Sequence, residues 1–168
     1  MITADFCRTM ARYNRWQNQS IYAAAGGLGD AARRADRGAF FGSIHGTLSH
    51  LLWGDGMWMS RFDGGGKPPG GIPDSAALYD DWAELSEARE EMDARILDWS
   101  GPLTDAEVEG QLRWYSGALG ADVERPLALC VTHFFNHQTH HRGQVHAMLT
   151  AAGASPADTD LFVMPTDA

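Results

Sequence analysis

Four stretches of this chain carry apolar residues at helical spacing, and each is closed by glycine or proline. In the first, from Ala4 to Ala25, Phe6, Met10, Tyr13 and Ala24 recur with Trp16 and Ile21 beside them, and Gly26-Gly27 ends the run. The second carries Ile44, Leu48, Leu51, Trp58 and Phe62, then meets DGGGKPPGGIP from Asp63 to Pro73, a density of Gly and Pro that no regular element survives. Asp74 is placed to N-cap the third, whose stripe is Leu78, Trp82, Leu85, Met92, Ile96 and Trp99 and whose stop is Gly101-Pro102. Pro126 suits the first turn of the last helix, which runs to Ala152 and closes at Gly153. Between the third and fourth, residues 103–125 read as irregular, with Val108 to Tyr115 forming a short strand or hairpin before Gly117 and Gly120. The tail after Pro156 reads as extended. With no repeat and no second composition regime, the expectation is an all-α four-helix bundle forming one domain over residues 1–168.

Composition narrows the function classes. Hydrophobic residues at 44% and charged residues at 21% can build one core. A formal net charge of −9 argues against a nucleic-acid partner, whose phosphates must be met by clustered Lys and Arg. No apolar run reaches the roughly 18–20 residues of a membrane-spanning helix. The segment Met1 to Arg8 lacks the apolar core of an export signal, and Cys7 and Cys130 are too few for a disulfide framework. A cytoplasmic protein with reduced thiols is the expected setting. The glycine-rich loop is not a Walker phosphate cradle either, because Lys67 is followed by Pro68 and Pro69 rather than Ser or Thr.

Seven histidines are present, four of them within His133 to His141. Projected at about 100° per residue, Leu127, Val131, Phe134, Gln138, His141, Val145, Met148 and Leu149 share one face of the last helix. His141 lies inside that apolar face and His137 about 40° to one side, one turn earlier. A histidine pair at i and i+4 on a buried face can bring two imidazole nitrogens onto one ion; equally, each can be a core histidine satisfied by a hydrogen bond. A third ligand must come from another helix, and His50, at the edge of the second stripe, can reach the core. His45 projects away and reads as a surface or interhelix residue, and His146 points elsewhere. Asp55 falls in the middle of the stripe, where a carboxylate must be paired, hydrogen-bonded or near a metal. It is read as orienting a ligand histidine, with a cap or an arginine partner as alternatives. Cys130 reads as a buried, inert thiol.

The segments TLSHLLWGDGMW (Thr47 to Trp58) and FFNHQTHHRGQV (Phe134 to Val145) together resemble the DinB/YfiT-like family of metal-dependent enzymes. The likeness covers nearly the whole chain: four helices, a histidine in the second, and His-x-x-x-His-Arg-Gly-Gln near the C-terminus. It implies a divalent metal on His50, His137 and His141, nickel or zinc before iron or manganese, and a homodimer. It also implies a small-molecule substrate, with a low-molecular-weight thiol in those relatives that act as S-transferases or isomerases. Three histidines leave coordination positions open, which suggests catalysis through metal-bound water or thiol, and with the resemblance a transferase or hydrolase is the leading reading. The competing one is a bundle that binds metal or a small ligand without catalysis. Arg142 and Gln144 match the signature but flank the ligand face, where packing explains them as well as substrate binding does.

Overall fold

The computed structural model describes residues 2–117 and 119–166. Four long helices dominate: α1 (Ala4–Gly26), α3 (Ile44–Phe62), α4 (Trp82–Ser100) and α6 (Leu127–Ala151), with two short ones, α2 (Asp30–Arg34) and α5 (Asp105–Val108). In section the bundle is a square, α1 and α3 each packing on both α4 and α6. Helix α1 starts where the Thr3 hydroxyl accepts from the Phe6 N–H, and α3 where Ser43 accepts from Gly46. Gly153 at the end of α6 has φ +83°, the left-handed conformation that closes a helix. The tail then runs back along α1: Tyr13 and Gln17 donate to the carbonyls of Thr159 and Asp158, and Ala157 donates to Ser20.

Two expectations are corrected. The third long helix does not begin at Asp74; its N-cap is Asp81, whose carboxylate accepts from Ala83 and Glu84. Asp74 instead accepts from Gly71 and organises a 3-10 turn over Ile72–Ala77. The cause is tertiary. Helix α3 grips this segment, with Ser49 donating to the Ser75 carbonyl and His45 donating to the Tyr79 carbonyl at 2.7 Å, so the stripe's first residue, Leu78, lies outside any helix. Pro126, expected in the first turn of the last helix, is the final residue of a strand and the N-cap of α6. The irregular region holds α5 and a hairpin, β1 (Gln111–Ser116) and β2 (Ala121–Pro126), antiparallel with Trp114 opposite Val123.

Buried apolar residues form two clusters rather than one. Ala4, Cys7, Ala11, Met59, Ile96, Val131, Phe134 and Phe135 fill one end, and Ile21, Ala25, Ile44, Leu48, Leu52, Leu85, Val145 and Leu149 the other. Between them lies a waist of buried polar side chains: Asn14 and Asn18 from α1, His50 and Asp55 from α3, Arg89 and Asp93 from α4, and Gln138, His141 and Arg142 from α6. The candidate site sits in this waist.

Candidate metal centre

Helix α3 contributes His50 and α6 contributes His137 and His141, one turn apart. Each of the three offers a ligand nitrogen, and these atoms all lie within 4.8 Å of one another, close enough to hold a metal ion. Ring centroids are 5.4 Å apart for His50 and His137, 4.8 Å for His50 and His141, and 4.5 Å for His137 and His141. His50 and His141 are 4% and 7% exposed, which keeps bulk water from most of the cluster.

Hydrogen bonds fix which nitrogens are bare. The Ser75 hydroxyl donates to the Ile72 carbonyl, so its oxygen accepts from His50 Nδ1–H at 2.8 Å and leaves His50 Nε2 without a proton. His141 Nδ1–H donates to Gln144 Oε1, also at 2.8 Å, with the same result for its Nε2. His137 Nδ1 is buried and has no hydrogen-bond partner among the described residues. Two imidazoles with lone pairs held free and a third with an orphaned nitrogen suit a cation better than a satisfied polar core. Burial pushes His50 down to about 4, with His141 adding to the effect, and His137 down to about 3, with His141 and His50 adding. Burial likewise lowers His141. At neutral pH the rings are therefore unprotonated, the form that ligates metal.

Local backbone makes room for this packing. A Cβ on Gly54, mid-way along α3, would stand 2.8 Å from His137 Cε1, so only glycine lets that ring lie against the helix. The Phe41 ring stacks on His50 at 3.6 Å between centroids and meets His141 edge-on at 5.5 Å, roofing the cluster from the loop before α3. Gly46 allows that loop to approach, since a Cβ there would come within 2.5 Å of the Phe41 carbonyl.

Other residues singled out from the sequence have different places. Asp55 does not orient a ligand: fully buried, it accepts from Arg89 at 2.6 Å, while Arg89 also pairs with Asp93 at 2.9 Å and Asn14 and Asn18 donate to Asp93. Burial opposes the Arg89 charge, but Asp93 and Asp55 together outweigh it and hold the guanidinium above its ordinary pKa. The orienting partners are Ser75 and Gln144 instead. Gln144, three residues after His141, was legible as a neighbour on the helix; Ser75, 25 residues from His50, had no signal in sequence. His45 is an interhelix residue, as its projection suggests, and Cys7 and Cys130 are free and buried. Arg142 is buried and donates to Asn14 and Thr139, a packing role. No described helix is long and apolar enough to cross a membrane.

Comparison with known proteins agrees with this architecture. The DinB family model matches residues 1–167. Protein DinB of Bacillus subtilis (strain 168) is 29% identical over 174 aligned positions, covering 98% of this chain and 98% of that protein. The crystal structure of a DinB-like protein from Bacillus cereus ATCC 10987 shares the fold, with a TM-score of 0.64 at 12% identity over 86% of this chain and 91% of the other.

Proposed function

The chain belongs to the DinB family, and from that premise we propose that it is a metal-dependent enzyme of one bundle domain whose ion is held by His50, His137 and His141. The observation that carries this reading is the set of three neutral, largely buried imidazoles with unshared nitrogens, one of them without a hydrogen-bond partner among the described residues. Nickel or zinc suits the nitrogen set best, ahead of iron or manganese. When bound, such an ion supplies Lewis acidity that brings the pKa of a neighbouring water or thiol toward neutrality. The chain's own part is to hold His50 through Ser75 and His141 through Gln144, to keep all three rings unprotonated by burial, and to exclude water with Phe41.

The substrate is a small molecule, and thiol-dependent S-transfer or hydrolysis is the reaction class, supported by the family resemblance. We also take the protein as a cytoplasmic homodimer, supported by Phe40 and Phe162, which are 83% and 88% exposed and leave apolar surface for a second copy. The test pairs common low-molecular-weight thiols with epoxide, halide and maleyl electrophiles, and adds simple esters and amides, using metal-loaded and chelated protein. Turnover that vanishes on chelation and in His137→Ala is expected. No turnover, together with a cobalt-substituted spectrum that thiols leave unchanged, makes a non-catalytic metal-binding bundle the better account.

A further inference from the structure

The rings at the candidate metal centre continue along the seam where α3 packs on α6. His137 lies 6.0 Å from His133, His133 lies 5.0 Å from Trp58, and Trp58 lies 6.0 Å from Trp114 on β1. At the end of this wall stands Arg61, its guanidinium 4.4 Å from the Trp58 ring centre and 5.3 Å from that of Trp114. Arg61 is half-buried, and among the described residues it forms no ion pair and donates no hydrogen bond. By contrast, the buried Arg33, Arg89 and Arg142 each reach a protein oxygen. Cation–π contact replaces only part of the hydration a guanidinium loses, and burial accordingly pushes Arg61 below its ordinary pKa. With 22 acidic residues against 13 basic ones, a cation left without a carboxylate needs a reason.

A second cation borders the same place. Arg125 on β2 stands opposite Leu112, so it shares the sheet face that carries Trp114 and Val123, and it too forms no ion pair among the described residues. Burial raises the Cys130 thiol, and Arg61 and Arg125 both act on it in the opposite direction, which places both charges near that part of α6. The register along α3 ties this spot to the metal centre. Arg61 comes seven residues after Gly54, against which His137 packs, so it lies on the same helix face about 10 Å further along.

We propose that Arg61, held between Trp58 and Trp114, receives the carboxylate end of a small-molecule substrate whose reacting end lies at His50, His137 and His141. This rests on the metal-site reading above and adds the class of substrate: a carboxylic acid with roughly 10 Å between its two functional ends, a span set by the helix rise. A guanidinium offers paired N–H donors that match the two oxygens of a carboxylate. Phosphate groups are often met at a helix N-terminus, whereas Arg61 lies in the last turn of α3.

The test titrates cobalt-loaded protein with 6-mercaptohexanoate and with 6-mercaptohexan-1-ol, read by cobalt absorption. The acid is expected to bind about tenfold more tightly than the alcohol, the scale of one charge-assisted contact. Arg61→Gln should erase that preference while cobalt content and the alcohol's affinity stay as they were, and Arg61→Lys should keep part of it. Equal affinities in the unaltered protein, or a preference that survives Arg61→Gln, overturn the proposal. So does a phosphonate analogue that binds tenfold better than the carboxylate through Arg61. Failure of the metal reading is separately visible as failure to take up cobalt. In that case hexanoate added to metal-free protein decides the matter: a change in tryptophan emission that disappears in Arg61→Gln sustains the carboxylate site, and no change removes it.

Discussion

Arg89 and His137 both occupy the polar waist between the two apolar clusters, yet their surroundings differ in kind. Arg89 is held by Asp55 at 2.6 Å and Asp93 at 2.9 Å, and Asp93 in turn accepts from Asn14 and Asn18, so charge meets charge within the fold. His137 has a buried nitrogen with no hydrogen-bond partner among the described residues, and its neighbours His50 and His141 have their second nitrogens kept bare by Ser75 and Gln144. Matched buried groups specify structure, because removing one strands the other. Lone pairs of three imidazoles gathered at one point could hold a metal ion instead.

The comparison breaks most easily at Arg89. Arg89→Met strands two buried carboxylates and should destabilise the fold by about 3–5 kcal/mol, seen as a large fall in urea midpoint. His137→Ala in chelator should lose about 1 kcal/mol or less, since no hydrogen bond is broken. If both variants lose the same stability, the two halves of the waist are not different in kind. Gly54→Ala is the next largest effect. Alanine favours the helix by about 1 kcal/mol, but its Cβ at 2.8 Å from His137 Cε1 must move the ring. Stability should hold or rise while metal affinity falls on the order of 10–100-fold, the range for losing a group that orients a ligand. Unchanged affinity would show that His137 needs no such placement.

The smallest effect is the pH dependence of the metal-free protein. Burial first, and the neighbouring imidazoles second, set His50 at about 4 and His137 at about 3, below the ordinary histidine value. Between about pH 6.5 and pH 4 the unfolded chain therefore binds protons that the folded chain refuses, so stability is complete above that window and declines as pH falls through it. Urea midpoints measured in chelator should drop from pH 7 to pH 5, and His137→Gln should flatten part of that slope. A midpoint independent of pH over this range would mean that the rings are not protected from protonation.

How much of this could be read from sequence varies with the range of the interactions. Helices α1, α3 and α6 were legible because each is long, periodic and closed by glycine. The pair His137 and His141 followed from i, i+4 spacing, and His50 from its position beside an apolar stripe together with the family motif. What escaped depends on contacts distant in the chain. Asp74 has the chemistry of an N-cap, yet α3 holds its segment in a 3-10 turn through Ser49 and His45. Asp55 was seen to need a partner, but that the partner is Arg89, 34 residues on, is fixed only by the packing of α4 on α3. The Phe41 roof and the role of Gly54 are likewise consequences of assembled helices.

The central claim is tested most directly by metal stoichiometry. Protein purified without chelator, and the same protein stripped and reloaded with zinc or nickel, is analysed for bound metal beside His50→Ala, His137→Ala, His141→Ala and the controls His45→Ala and His146→Ala. About one ion per chain is expected for the parent and both controls, as three convergent imidazoles require, with loss of tight binding in each of the three ligand variants. Less than about a tenth of an equivalent in the reloaded parent, or equal losses in all five variants, would contradict the claim that His50, His137 and His141 form a metal site.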